Sequence, residues 1–342
     1  MVHLQEVLEE IDVFQKLTGL RLQDVYNAML KRGWTLGSPQ LTAAMQVVIR
    51  LFHGKQVRVL EHFWRENGPD MVVSMVPNFN RSIRDALSRA LPGVPLVTIL
   101  TDMADYPPHF WIERQDQYFI CGSGKAVEQA RALGHAPEKV ERVSGMILNP
   151  KFYAIEPLGP EARAAQRARL GFDATTPVGL VLFGAEASTA VEEIACRLPD
   201  RPLLIVCGRN HRLAGRLKSM PHKAPIFVEG FTSEIPGYMQ LADYFIGKAG
   251  PGSISEAVAM RLPVIVERNA WTLPQERYNG EWVLEQGIGL VLRNFRQIAR
   301  AVDQLLEPAA YAKFRAATER LQNRAVFEIP DILERILQTH RP

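Results

Sequence analysis

Tyr244-Phe245-Ile246-Gly247-Lys248-Ala249-Gly250-Pro251-Gly252-Ser253-Ile254-Ser255-Glu256-Ala257-Val258-Ala259-Met260-Arg261 joins a strand, a turn and a helix start in one short run. Tyr244, Phe245 and Ile246 form an apolar stretch of strand-forming residues and read as a buried strand. Gly247, Gly250, Pro251 and Gly252 then make a turn too tight for larger side chains. Ser253 reads as the cap of a helix, with Glu256 three residues later in capping-box spacing. At such a junction the unpaired amides and the helix dipole point at one spot, which favours an anion. The diphosphate of a nucleotide fits that description. The plainer reading is a tight strand–helix junction with no ligand, which parallel α/β domains contain in number. Glu256 argues against it, because a carboxylate beside an anion site must face something other than phosphate. A ribose diol, with two hydroxyl donors, is its natural partner.

Working outward, short apolar strands alternate with amphipathic helices twice over. In the first half Met71–Val76, Leu96–Leu100, Tyr118–Cys121 and Val143–Met146 read as strands, with helices over Arg81–Leu91 and Lys125–Leu133. Upstream, Leu20–Lys31 and Leu41–Arg65 read as helices, the second broken near Gly54. Pro150, Pro157 and Pro160 mark the connection between halves, and Glu161–Leu170 is a short helix leading out of it. In the second half Val178–Phe183, Leu203–Cys207, Ile226–Val228, Tyr244–Ile246 and Pro263–Val266 are strands, and the chain ends in a helix over Ile329–Gln338 after a break at Pro330. Near-continuous apolar strands in this alternation imply parallel sheets covered on both faces. The expected organisation is α/β, with an amino-terminal domain over 1–155, a second domain over 156–342, and ligands beyond the strand carboxyl ends, in a cleft.

Length and composition agree. The chain has 342 residues, enough for two domains with their own cores, and 47% hydrophobic and 23% charged residues is the balance of a globular protein. A net charge of +3 gives no concentrated basic face, so nucleic acid is not an expected partner. Cys121, Cys196 and Cys207 are odd in number and far apart, with no metal-ligand spacing, which points to reduced thiols in a cytoplasmic setting and to no metal. No apolar run approaches the ~18 residues that cross a bilayer, and the acidic start lacks a signal-peptide pattern.

Other strand ends carry chemistry. Pro274-Gln275-Glu276-Arg277-Tyr278-Asn279 places Gln275, Glu276 and Asn279 where planar amide and carboxylate groups can converge on a polyol; alone, it reads equally as an exposed polar helix start. In Val206-Cys207-Gly208-Arg209-Asn210, Gly208 permits close backbone approach and Arg209 can meet phosphate or base, while Asn210 is a ready helix cap. Gly122-Ser123-Gly124-Lys125 hints at a Walker loop, but Phe119 and Ala126 stand where that motif needs glycine and serine or threonine. Thr101-Asp102-Met103-Ala104-Asp105-Tyr106-Pro107-Pro108-His109 offers Asp102, Asp105 and His109 as general-base candidates, against the reading that an aspartate caps a turn ahead of the prolines. Arg50, Lys55, Arg58 and Arg65 interleave with Leu51, Phe52, Val57, Leu60, Phe63 and Trp64, a pattern that fits either an anionic lipid surface or an ordinary amphipathic helix.

Taken together, these residues resemble the monogalactosyldiacylglycerol synthase family of glycosyltransferases and, more distantly, the peptidoglycan N-acetylglucosaminyltransferase that acts on a lipid intermediate. Lys248-Ala249-Gly250-Pro251-Gly252-Ser253 with Glu256 carries the resemblance most specifically. Gln275-Glu276 with Asn279, Cys207-Gly208-Arg209-Asn210, Gly230-Phe231-Thr232, Pro69-Asp70-Met71-Val72-Val73-Ser74, Thr101-Asp102 and Ser144-Gly145 support it, so that it spans most of the chain from about residue 69. The resemblance implies a GT-B fold, two Rossmann-like domains facing a cleft, and inverting transfer from a UDP-sugar to a diacylglycerol-type lipid hydroxyl at a membrane surface, with no cofactor and no essential metal. By position, Glu256 would bind the ribose, and Gly250, Gly252 and Ser253 would face the diphosphate. Gln275, Glu276 and Asn279 would hold the sugar, with Gly208, Arg209 and Phe231 near the uracil.

Two departures from the family pattern shape the expectation. Family members begin with a strand and a glycine-rich loop bearing a histidine; no glycine-histidine loop lies upstream of residue 30, so the first domain is expected to lack its usual first strand–helix unit. Phe183-Gly184-Ala185-Glu186-Ala187-Ser188 carries alanines where the family favours glycine. The expected function is a UDP-sugar-dependent glycosyltransferase, cytoplasmic and peripheral on the inner face of the cell membrane, with Asp102, Asp105 or His109 as base and residues 41–65 touching lipid. The alternatives are a catalytically weak nucleotide-sugar-binding homologue and a UDP-sugar epimerase.

Overall fold

The computed structural model describes residues 4–7, 46–47, 49–184, 190–270 and 272–340. The helix read at 20–31, the lack of a leading strand–helix unit, the start of the 41–65 helix, the Ala185–Ser188 loop and Trp271 lie outside the described residues. Contacts divide the chain into two compact units, Met1–Ile147 with Leu273–Gln275 and Arg324–Pro342, and Leu148–Thr272 with Glu276–Asn323. The carboxyl-terminal helix therefore belongs to the first unit.

In the first unit, helix α1 (His53–Asn67) leads to strand β1 (Val72–Ser74), helix α2 (Asn80–Ala90), β2 (Leu96–Ile99), β3 (Tyr118–Cys121), α3 (Gly124–Ala132) and β4 (Val140–Arg142). The four strands are parallel in the order β1-β2-β3-β4. Helices α1 and α2 cover one face, where Val57, Leu60 and Trp64 meet Ile83, Leu87 and Leu96. Those three α1 residues are core, so half of the apolar residues in the proposed lipid-facing stretch face inward, while Val47 (54% exposed) and Leu51 (76% exposed) remain open to solvent. The sequence expectation of a strand at Val143–Met146 is corrected: Val140 pairs with Phe119, and the chain has left the sheet by Ser144, whose N–H donates to Glu328 Oε2 at 2.7 Å.

The last helix of the chain, Ala325–Thr339, does not break at Pro330, which sits inside it. Its Ala325, Ile329, Ile332 and Ile336 repeat at helical spacing and pack on Val97, Ile99, Ile120 and Val143, covering the sheet's other face.

In the second unit, α4 (Pro160–Arg169) precedes β5 (Gly179–Leu182), α5 (Ala190–Arg197), β6 (Leu203–Val206), α6 (His211–Ser219), β7 (Ile226–Glu229), α7 (Ile235–Leu241), β8 (Tyr244–Lys248), α8 (Pro251–Ala259), β9 (Val264–Glu267), α9 (Arg277–Gln286), β10 (Gly289–Leu292), α10 (Ile298–Leu306) and α11 (Pro308–Arg320). The sheet is parallel throughout, in the order β10-β9-β8-β5-β6-β7. Strand β10 was not anticipated; it is a four-residue strand that opens on glycine. The chain runs from β5 outward to β7, then returns to β8 on the other side of β5. That reversal makes the carboxyl ends of β5 and β8 a topological switch point, where parallel sheets bind ligands.

Gly247 is required by this pairing. It sits opposite Leu182, and a Cβ there would lie 2.5 Å from the Leu182 carbonyl oxygen. A backbone atom cannot rotate away, so Gly247→Ala is expected to destabilise the protein by about 3 kcal/mol. Urea denaturation checks this; an unchanged midpoint would show that β5 and β8 are not packed as described.

Candidate functional site

Helix α8 starts at Pro251, the residue whose ring fixes φ for a first helical position, with Gly250 as its N-cap. The capping-box reading is thereby corrected. Ser253 lies inside the helix, no acidic residue occupies the first turn, and Gly250 provides no side-chain cap. The first ladder bond runs from Ile254 N to Gly250 O at 3.1 Å. The amides of Gly252 and Ser253 consequently have no acceptor within the helix, and Gly252 is exposed. Glu256, one turn on, is half-buried, and burial pushes its carboxyl up to about 7.

Beneath the turn, Asn279 is fully buried and its Nδ2 donates to Ala249 O at 2.7 Å, while its Oδ1 has no partner. It thus fixes the backbone just before Gly250, rather than facing solvent. Glu276, buried at the end of the 3₁₀ turn Pro274–Glu276 that also carries Gln275, accepts from Lys248 Nζ at 2.7 Å. The sequence pattern assigns Lys248 no role, because its partner lies 28 residues away along the chain.

At the ends of β6 and β7, Arg209 places its guanidinium 5.0 Å from the centroid of the Phe231 ring. Phe231 is 61% exposed, which is unusual for a phenylalanine and leaves an aromatic face available for stacking. Gly208 holds φ at +53°, a conformation that favours glycine, and turns the chain so that Asn210 Oδ1 caps α6 by accepting from Leu213 N at 3.0 Å. Gly208, Arg209, Phe231, Gly250, Gly252, Ser253, Glu256, Glu276 and Asn279 all follow carboxyl ends of strands in one sheet.

In the first unit the 101–109 loop sorts its three candidates. Asp105 is buried, and its carboxylate accepts from Trp111 N at 2.6 Å, His109 N at 2.9 Å and Ile112 N at 3.3 Å. Burial pushes its carboxyl above the ordinary value, with these N–H groups pulling the other way. Asp102 Oδ2 accepts from Trp111 Nε1 at 2.9 Å. His109 holds a positive φ of 66°, and its Nδ1 lies 3.3 Å from Ile112 O. A carbonyl only accepts, so Nδ1 is the donor, and the tautomer with a lone pair at Nε2 is the one this contact favours. His109 also lines a small open hollow together with Arg50, His53, Asn78, Arg81 and Glu113. These residues are dispersed in sequence and share no motif, so nothing in the sequence could have grouped them.

Residues 184–335 match the glycosyltransferase family 28 C-terminal domain. The chain is 32% identical over 255 residues to the chloroplastic monogalactosyldiacylglycerol synthase of Spinacia oleracea, covering 71% of this chain and 47% of that protein. The chain is similar to the monogalactosyldiacylglycerol synthases. The chloroplastic monogalactosyldiacylglycerol synthase 2 of Arabidopsis thaliana extends the match to 97% of this chain and 74% of that protein at 27% identity. The chain spans about half the length of several curated relatives it matches. Among solved structures, the calicheamicin glycosyltransferase CalG4 shares the fold with a TM-score of 0.60 at 18% identity, over 89% of this chain and 84% of that one. The two parallel-sheet units of this monogalactosyldiacylglycerol synthase-like chain are Rossmann-like domains of the GT-B type.

Proposed function

We propose that this chain is an inverting glycosyltransferase that moves a sugar from a UDP-sugar to the hydroxyl of a diacylglycerol-type lipid at a membrane surface. The observation that carries the reading is the helix start at Pro251, with free amides at Gly252 and Ser253 and the burial-shifted carboxyl of Glu256 one turn behind, in a chain similar to the monogalactosyldiacylglycerol synthases. Relatives named for making monogalactosyldiacylglycerol support a lipid acceptor. In this reading Phe231 and Arg209 receive the uracil face, Glu256 takes the ribose diol, and the α8 amides meet the diphosphate. Gln275 and Glu276 hold the sugar, and Asn279 shapes the turn under it.

Inversion requires a base that removes the acceptor proton as its oxygen attacks the anomeric carbon. Of the three candidates in the first unit, we take His109 as the base through its Nε2, with Asp105, which accepts from the His109 backbone N–H, as its positioning residue. Charge on the departing UDP is met by preorganised amides, and the reaction calls for no cofactor. Val47 and Leu51, beside Arg50 and Arg58, are the exposed residues suited to rest on anionic lipid from the cytoplasmic side.

The test is incubation with radiolabelled UDP-sugars and vesicles containing diacylglycerol. Label in the lipid phase supports transfer. UDP binding with no turnover would select the catalytically weak homologue, and interconversion of free UDP-sugars would select an epimerase.

A further inference from the structure

Resting on the reading of the second unit as a UDP-sugar site, we propose that Lys248 is a further member of that site: its ammonium meets the leaving diphosphate, and Glu276 holds it in readiness. Lys248 is the last residue of β8, and its Nζ lies 2.7 Å from Glu276 Oε1. The pair is pressed against the N-cap of α8. A Cβ built on Gly250 would stand 3.2 Å from Lys248 Cε and 3.7 Å from Glu276 Oε1. The cation and the open helix start are thus neighbours, and the bare backbone of Gly250 leaves room between them.

The two partners are unequally exposed. The Glu276 side chain is 10% accessible, whereas that of Lys248 is 44% accessible. An ammonium carries three donors, and Glu276 takes one of them, which leaves others facing solvent. The exposure of Lys248 leaves its charge within reach of a ligand at the helix start. A pair this open also adds little to stability. What the arrangement does provide is a full positive charge beside amides that supply only a partial one.

The chemistry at that point needs it. When the acceptor oxygen bonds to the anomeric carbon, the carbon–oxygen bond to the diphosphate breaks and its electron pair stays on the β-phosphate oxygen. UDP leaves with one more negative charge than it carried as UDP-sugar, and the acceptor proton goes to the base. Lys248 is placed to donate to that oxygen, while Glu276 turns to the sugar hydroxyls.

The test is calorimetric binding of UMP and UDP to the wild type, Lys248→Met, Lys248→Arg and the double variant Lys248→Met/Glu276→Gln. Lys248→Met is expected to weaken UDP about tenfold and to leave UMP within about twofold, because only the second phosphate reaches the ammonium. Lys248→Arg should recover most of the loss. The double variant should remain weak for UDP; recovery there would mean that Lys248 acts only by neutralising Glu276, and would overturn the inference. An unchanged UDP-to-UMP ratio in Lys248→Met would overturn it too, with the UDP-sugar reading intact. A wild type that binds neither nucleotide would bring down the reading beneath it and the inference together. Circular dichroism of each variant separates lost binding from lost folding.

Discussion

Glu256→Ala is expected to weaken UDP binding about 100-fold and to abolish transfer, with the fold intact. The expected contacts are two hydroxyl-to-carboxylate hydrogen bonds, each of the charge-assisted kind, and their joint loss corresponds to about 3 kcal/mol. Helix α8 does not depend on this side chain, since Glu256 is neither its cap nor in its first turn. Titration calorimetry with UDP measures the effect, and unchanged affinity would reject the ribose assignment.

The same residue gives a pH dependence of stability with a definite sign. Burial raises the folded carboxyl from 4.5 to about 7. Below pH 4.5 Glu256 is neutral in both folded and unfolded chains and costs nothing. Between those values the folded chain binds a proton that the unfolded chain has released, so stability falls as pH rises and levels off above about 7. The gap is worth about 3 kcal/mol. Glu256→Gln should therefore raise the urea midpoint at pH 8 and leave it unchanged at pH 4.5. UDP binding by the wild type should strengthen from pH 6 to pH 8 as the carboxylate forms, relative to the glutamine variant.

The sequence made the second unit more legible than the first. Its strands are mostly apolar because both faces of the sheet are covered, so all but β10 stand out as short runs between turn residues. The candidate site residues of the second unit cluster because they follow strand carboxyl ends, where a short motif and its place in the fold coincide. What sequence could not supply was side-chain partnership. Ser253 looked like a cap because serine favours that position, yet the helix starts at Pro251, with its cap at Gly250, three residues sooner. Asn279 looked like a sugar ligand, yet it lies beneath Ala249, a contact 30 residues away in sequence. The first unit's hollow joins residues from position 46 to position 113, and the helix that covers one face of its sheet, Ala325–Thr339, comes from the far end of the chain. Contacts at such separations leave no local pattern.

Asp105 and His109 show how partnership decides between two roles for neighbouring residues. Asp105→Ala is expected to destabilise the protein by about 4 kcal/mol and to remove all activity. Its carboxylate is the acceptor for three backbone N–H groups, of His109, Trp111 and Ile112, and Trp111 is itself fully buried. Deleting this buried carboxylate leaves those donors without their acceptor, and each unsatisfied buried donor costs about 1–3 kcal/mol. The His109 backbone, held at positive φ by this bond, would relax and carry the imidazole away. His109→Gln should behave differently. It keeps a polar side chain of similar reach, so the urea midpoint should shift by less than about 1 kcal/mol while turnover falls at least about 100-fold, the typical contribution of a positioned base. Measuring both quantities on both variants separates architecture from chemistry. If Asp105→Ala kept its stability and lost only turnover, the proton would be going to Asp105, and His109 would become the residue that positions it.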